Sequence, residues 1–137
     1  MRLVSIVMLF LLVFSCNRAK KSEEFKENGV PAPPKLSKDS QIFLGNRLFS
    51  EKTCITCHAV DQQKVGPSVI EIMTIYKEKN GDIVAFLKGK TPPIVDTTAS
   101  QVAVMQNNID GFLKEVSDVE LNALATYMLH VDELNKN

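Results

Sequence analysis

The stretch Cys54-Ile55-Thr56-Cys57-His58 decides how the rest of this 137-residue chain is interpreted. Its two thiols are separated by about one turn of a helix, so both sulfur atoms can face the same side of that helix. The next residue carries an imidazole. Thiolates and imidazoles are reactive side chains that bond readily to metals and cofactors. The stretch therefore predicts a site at which these three side chains act together.

The pattern Cys-x-x-Cys-His is typical of covalent haem attachment. Two thiols on one helical turn can add to the two vinyl groups on one side of a haem, and the following imidazole then points at the iron. A small protein has too little apolar interior to retain such a cofactor by burial alone, so covalent attachment keeps it in place. We therefore predict one covalently attached haem c, bound through Cys54 and Cys57, with His58 as an iron ligand.

The pair of cysteines has two other possible interpretations. A thioredoxin-like redox pair would follow a β-strand, but no alternating or β-branched run precedes Cys54. A zinc site would need two more Cys or His ligands at matching spacing, and the only other histidine is the distant His130.

The N-terminus resembles an export signal. Arg2 is followed by an apolar run over residues 3–14, then by Ser15 and Cys16. The run is too short to span a bilayer comfortably. Cleavage before Cys16 would resemble processing of a bacterial lipoprotein, so residues 1–15 are predicted to be the signal peptide and Cys16 the lipidated first residue. Phe14 departs from the small or β-branched residue usual at its position, and the alternative is an ordinary secretory signal with Cys16 incidental.

The number of cysteines agrees with this division. A disulfide between two of the three cysteines would leave one odd thiol in an exported protein. Lipid on Cys16 and haem on Cys54 and Cys57 would leave none. Bacteria attach haem to such motifs on the outer side of the cytoplasmic membrane. The motif and the signal therefore both predict the periplasmic side of a bacterial membrane.

Residues 16–38 are predicted to be a flexible tether, because they are charged, contain Pro31-Ala32-Pro33-Pro34 and have few large apolar side chains. Residues 17–38 carry 6 basic and 3 acidic side chains, a net charge of +3, whereas residues 39–137 carry 9 and 13, a net charge of −4. An acidic domain argues against nucleic acid and favours a partner with a basic docking surface. Ordinary solubilising charge explains the imbalance equally well.

Residues 39–137 have the length of one small domain, and their apolar periodicity predicts an all-α fold of about four helices wrapped around the haem. The predicted helices are 39–51, 68–79, 82–88 and 117–131. The second and fourth begin with capping boxes, formed by Ser68 with Glu71 and by Ser117 with Glu120.

These features together resemble a monohaem class I c-type cytochrome of the small bacterial type over residues 39–137. Gly45, Leu48 and Phe49 resemble its N-terminal helix, in which the glycine lets the first and last helices cross closely. Tyr127 resembles the aromatic partner of Phe49 on the last helix. The resemblance implies that these residues stabilise the fold and carry no chemistry.

The resemblance also implies two further site residues. Pro67, within the turn Gly66-Pro67, is expected to accept a hydrogen bond from His58 through its carbonyl group. Met105 is expected to be the sixth ligand of the iron, in a loop over residues 100–106, because this segment lacks strong periodicity.

The other methionines and the second histidine are less suitable as ligands. Met73 and Met128 lie on predicted helices and are expected to pack in the core. His130 could bind iron only if the end of the last helix were distorted.

Ligation by His and Met fills the coordination sphere, which suits an electron carrier and not an enzyme. The resemblance therefore implies a monomeric extracytoplasmic carrier that serves respiratory redox proteins and is bound to membrane lipid through Cys16. One alternative is a haem enzyme or gas sensor with an open sixth site. Another is a subunit fixed permanently to a reductase or oxidase as its electron inlet.

Overall fold

The computed structural model describes residues 35–135. The helices in this range are α1 Lys38–Glu51, α2 Cys54–Cys57, α3 Val69–Glu78, α4 Ile83–Leu87, α5 Ala99–Asp110, the 3₁₀ helix Phe112–Glu115 and α6 Asp118–Leu134. The described residues contain no strand, only an isolated bridge between His58 and Gln63. The predicted all-α class is therefore confirmed, with α2 and α5 added to the four predicted helices.

The predicted signal peptide, Cys16 and most of the predicted tether lie outside the described residues. The last residues of the tether, Lys35 to Ser37, are exposed and lead into α1, which begins one position earlier than predicted. No helix in the described part of the chain has both the length and the hydropathy that a membrane span requires.

The predicted capping boxes differ in completeness. At α6, the Ser117 hydroxyl accepts from the Glu120 N–H at 3.4 Å, and the Glu120 carboxylate accepts from the Ser117 N–H at 2.9 Å. At α3, Ser68 accepts from the Glu71 N–H at 3.1 Å, but the exposed Glu71 carboxylate does not return a bond. The capping box at Ser117 is confirmed, and the one at Ser68 is only half formed.

Helices α3 and α4 end with the same backbone motif. Asn80 and Gly89 have φ angles of +50° and +67°, in the left-handed region. After α3, the N–H of Gly81 donates to the Tyr76 carbonyl at 2.8 Å. After α4, the N–H of Lys90 donates in the same way to the Ala85 carbonyl, five residues earlier, at 2.8 Å. These bonds satisfy carbonyl groups that the helix ends would leave unpaired.

The first and last helices cross at Gly45. A Cβ atom on Gly45 would lie 2.6 Å from the Cβ atom of Tyr127 and would also overlap the Ala123 carbonyl, so only glycine permits this approach. One turn further along α1, the rings of Phe49 and Tyr127 have centroids 5.6 Å apart, tilted by 54°. Both contacts expected from the resemblance are confirmed.

The hydrophobic core lies between α1, α3 and α6, with contributions from the shorter helices. Its most buried members come from these three helices and are Leu48, Phe49, Val69, Leu121, Ala123, Leu124 and Val131. Met73 and Met128 are also buried, at 5% and 8% exposure, as expected for core residues.

Helix α5 corrects the prediction of a loop around Met105. Residues 99–110 form an α-helix that begins after Thr98. The Thr98 side chain makes no capping bond to the helix, and its hydroxyl donates to Asp96 at 2.8 Å. The apolar residues Val102, Met105 and Ile109 recur at helical spacing, so a helical signal was present. It was weak because the outer face of α5 mixes exposed alanine and valine with polar residues.

Candidate functional site

A cavity of about 260 Å³ opens beside Cys54 and Cys57. Every described helix contributes to its walls, which are mostly apolar. The main apolar residues of the walls are Phe49, Ile72, Tyr76, Ile83, Phe86, Leu87, Ile94, Val102, Ile109, Leu124 and Met128. Such walls suit a mainly apolar ligand.

Tyr76 illustrates the low polarity of these walls. Burial raises the pKa of its phenol to about 12, and the nearby Asp82 carboxylate adds a smaller contribution in the same direction. The ring also packs against Phe86, with centroids 6.4 Å apart. Tyr76 is therefore a neutral wall residue at physiological pH.

The single turn of α2 brings the two thiols to the cavity. It begins after Thr53, whose φ of +61° is unusual for a β-branched residue. The Thr56 hydroxyl donates to the Thr53 carbonyl at 2.6 Å, and the His58 N–H donates to the Cys54 carbonyl at 2.9 Å. Cys54 and Cys57 are both partly buried, unpaired and part of the cavity wall.

The environment of Cys54 does not resemble that of a reactive dithiol. Burial raises the pKa of its thiol, the proximity of Cys57 adds to this, and a backbone hydrogen bond opposes it. Redox-active Cys-x-x-Cys pairs have a lowered pKa instead. In the described residues, moreover, α1 and not a strand precedes Cys54.

The zinc interpretation also lacks support. Between residues 35 and 135, no three His, Cys, Asp or Glu side chains are grouped closely enough to bind a metal ion. The additional ligands that a tetrahedral zinc site needs are therefore absent from this part of the chain.

His58 makes the hydrogen bond that was predicted for it. Its Nδ1 atom lies 2.8 Å from the carbonyl oxygen of Pro67. Since a carbonyl oxygen only accepts, Nδ1 carries the hydrogen, and Nε2 retains the lone pair that a metal ligand needs. The bond also fixes the orientation of the ring at the cavity.

Gly66 lies directly against the imidazole. A Cβ atom at this position would lie 2.6 Å from Cε1 of His58, so a larger residue would push the ring from its place. The N–H of Gly66 donates to the carbonyl of Cys57 at 3.0 Å, which ties the turn to α2. The Gly66-Pro67 turn is therefore shaped around His58, and it also leads into α3.

Met105 lies on α5, where its half-buried side chain is part of the cavity wall. Its sulfur atom accepts a weak hydrogen bond from the Asn108 amide at 3.9 Å. Met128 borders the same cavity from α6, whereas Met73 does not. The structure therefore brings Cys54, Cys57, His58, Pro67 and Met105 together at one cavity.

His130 lies away from this group of residues. It is not part of the cavity wall, and its Nδ1 atom bonds to the Thr126 carbonyl of its own helix at 2.7 Å. This placement agrees with the expectation that His130 is not an iron ligand.

One residue of the cavity wall, Gln101, was not predicted from the sequence. The side-chain amide of Gln101, on α5, donates to the carbonyl of Val65 at 2.9 Å, across 36 positions of sequence. No local pattern predicts a contact between segments so far apart. Lys64 similarly donates to the carbonyl of Ile55 at 3.2 Å, on the α2 side of the same turn.

The residues at the cavity fit a covalently attached haem. Two unpaired thiols on one helical turn would bond to the vinyl groups of the macrocycle, and an imidazole with a free Nε2 and a thioether could ligate its iron. Apolar walls surround them, and glycine at position 66 leaves room for the imidazole. These four side chains are the ones that would bind the macrocycle and its iron.

Comparison with known families places most of the described residues within a family model. The model of a family described as Cytochrome c matches residues 42–132, which is 91 of the 137 residues and runs from α1 to α6. The matched segment includes all five residues that the structure brings together at the cavity. No curated protein matches this chain.

Proposed function

The chain belongs to the cytochrome c family, and we therefore propose that it carries electrons through one haem c that Cys54 and Cys57 hold by thioether bonds. His58 and Met105 are the proposed axial ligands of the iron. Haem-based electron transfer is the general function of the family. The attachment, the ligand pair and the cellular setting are our proposals for this chain.

One observation carries the proposal above the others. His58 is oriented by the Pro67 carbonyl at the same cavity that Cys54, Cys57 and Met105 border. An imidazole whose Nδ1 donates to a carbonyl is a stronger ligand through Nε2, because the bond raises the basicity of the ring. The arrangement supports an imidazole and a thioether as the two axial ligands.

The bound haem supplies an iron that alternates between Fe(III) and Fe(II). The protein controls how readily it does so. A thioether ligand stabilises ferrous iron and raises the reduction potential, and the apolar walls act in the same direction because they disfavour the more highly charged state. The residues around the cavity therefore favour a carrier of relatively high potential.

Electron transfer through a haem edge requires neither a general acid nor a nucleophile. The tasks of this chain are to bind the cofactor, to hold both axial side chains in nearly the same place in both oxidation states and to limit access of water. Buried or half-buried side chains from all six described α-helices perform the last task.

Carbon monoxide separates this proposal from an enzyme or gas sensor with an open sixth site. If Met105 occupies that site, reduced wild-type protein should not bind carbon monoxide rapidly. The measurement is stopped-flow mixing followed by absorption spectroscopy. Rapid and complete binding by native protein would favour the alternative.

We further propose that the protein is anchored by lipid on Cys16 at the periplasmic side of a bacterial membrane. The support is the short apolar run followed by Ser15 and Cys16. The charged, Pro-rich tether would let the acidic domain reach respiratory redox proteins with basic docking surfaces. Copurification in mild detergent would distinguish a permanently bound subunit from a mobile carrier.

The lipid anchor leads to a prediction about fractionation. Native protein should sediment with membranes, whereas a variant that carries serine in place of Cys16, exported by an ordinary cleavable signal, should be soluble in the periplasm with its haem unchanged. The physical reason is that acyl chains supply the membrane affinity and the domain does not. Intact mass of native protein without acyl groups would contradict the proposal.

A further inference from the structure

Helix α5 covers one side of the cavity and has few other packing partners. Only Ile109 of this helix is buried, and its half-buried residues, which face the cavity, are Gln101, Val102, Met105 and Asn108. The element that it packs against most closely is the 3₁₀ helix that follows it. The inner face of α5 therefore depends on whatever fills the cavity for much of its burial.

Gln101 provides a polar link from α5 to the opposite rim of the cavity. Its amide donates to the Val65 carbonyl at 2.9 Å. The other side-chain bonds described for α5 join residues three or four positions apart, such as Gln106 with Asp110 at 2.9 Å and Lys114 with Asp110 at 3.5 Å. Those bonds stabilise local structure but do not hold the helix against the rest of the domain.

The turn that receives this bond also holds the other proposed axial ligand. Val65 accepts from Gln101, and two residues later Pro67 accepts from His58 at 2.8 Å. Gln101 and Met105 lie four positions apart on α5 and therefore share one face of the helix. A single short turn thus contacts the imidazole on one side and the helix of the thioether on the other.

We propose that Gln101 is a positioning residue for Met105. Its hydrogen bond to Val65 keeps α5 closed over the cavity and so keeps the sulfur of Met105 at the iron. This role rests on the proposed ligation by Met105. Without the bond, α5 opens more often, because a helix with few buried contacts is among the least stable parts of a fold.

The test uses Gln101→Leu, which preserves the approximate size of the side chain and removes the donor. Imidazole, added to the oxidised holoprotein, competes with Met105 for the iron and reports how often the sulfur leaves. We expect the variant to bind imidazole about two- to tenfold more tightly, the factor that corresponds to the loss of one ordinary hydrogen bond. The sulfur-to-iron absorption band should disappear as imidazole displaces Met105, and its decrease is the signal by which the titration is measured.

Hydrogen exchange measures the opening of α5 without reference to the iron. Amide groups of residues 99–110 should exchange faster in Gln101→Leu by a similar factor, while those of α1 and α6 should be unchanged. A bond that merely contributed to general stability would accelerate exchange throughout the domain. That uniform result would overturn the proposal.

Gln41→Leu is the matched control. The Gln41 amide also donates to a backbone carbonyl, that of Leu36, at 2.9 Å, but it lies on α1 and is not part of the cavity wall. Its side-chain oxygen accepts from Thr126 as well, so the substitution removes at least as much bonding. We expect its imidazole affinity to equal that of wild type, and an increase equal to that of Gln101→Leu would overturn the proposal.

Two other variants at position 101 complete the test. Gln101→Lys restores a donor on a long side chain and should return the imidazole affinity toward that of wild type. If Gln101→Leu does not fold, Gln101→Glu replaces it, because it keeps the shape of the side chain and loses the donor. Failure of Gln101→Lys to restore the wild-type affinity would count against the hydrogen bond.

The outcomes separate this proposal from the one on which it rests. A wild-type protein without the sulfur-to-iron band would contradict ligation by Met105. An intact band together with unchanged imidazole affinity and unchanged exchange in Gln101→Leu would contradict only the role of Gln101.

Discussion

Replacement of His58 by Ala is expected to reduce the yield of holoprotein almost to zero. The imidazole, oriented by the Pro67 carbonyl, is the proposed ligand that positions the cofactor against the two thiols during attachment. Without it, the remaining residues at the cavity offer no comparable ligand on that side. The measurement is the haem content per chain, from the absorption spectrum in alkaline pyridine and from intact mass.

His130→Ala is the matched control for this experiment. This second histidine bonds to the Thr126 carbonyl and does not border the cavity, so its loss should leave the haem content unchanged. Cys54→Ala and Cys57→Ala should each leave one thioether linkage, because the other thiol still lies at the cavity. Normal haem content in His58→Ala would contradict the proposed role of the imidazole.

Replacement of Met105 by Ala is expected to remove the sixth ligand while the haem stays attached. Attachment depends on the thiols and on His58, and α5 loses only one half-buried side chain, so helical content should change little. The sulfur-to-iron absorption band should vanish. The reduction potential should fall by on the order of 0.1 V or more, a sizeable part of the roughly 0.8 V range that axial ligands control. The opened site should also bind carbon monoxide rapidly.

Met73→Leu is the matched control for the methionine experiment. Met73 is buried on α3 and does not border the cavity, and the substitution nearly preserves its volume. It should cost less than about 1.5 kcal/mol in the free energy of unfolding and leave the spectrum unchanged. Should the band persist in Met105→Ala and disappear in Met73→Leu, the sixth ligand has been assigned to the wrong residue.

The helices that the sequence predicted correctly are those with strong local signals. Helix α6 combines a complete capping box at Ser117 with apolar residues at helical spacing. Helices α3 and α4 end where Asn80-Gly81 and Gly89 predicted, because Asn80 and Gly89 adopt the left-handed backbone that ends a helix. The half-formed box at Ser68 shows that a sequence pattern predicts a possible hydrogen bond and not its formation.

Helix α5 was missed because its signals are weak for a physical reason. Its inner face lies on a cavity and not on other helices, so it needs fewer large apolar residues than a core helix. Thr98 precedes it without a side-chain cap, so the usual hydrogen bond at a helix start is also missing. Met105 lies at the cavity, as its predicted role requires, but on a helix and not in the predicted loop.

Within the site, contacts between residues close in the sequence were predicted, and a contact between distant residues was not. The bond between His58 and Pro67 joins residues nine positions apart in one motif, and the resemblance predicted it. The bond between Gln101 and Val65 joins segments 36 positions apart. The left-handed backbone at Thr53 was also unpredictable, because β-branched residues rarely adopt it.

Covalent attachment of haem through Cys54 and Cys57 is the central claim, and extraction of native protein with acid and acetone tests it most directly. The thioether bonds should keep the haem with the precipitated chain, whose intact mass should exceed that of the apoprotein by one haem. The alkaline pyridine spectrum of that chain should be that of haem c. Recovery of the haem in the acetone phase, with both thiols left free, would contradict the account.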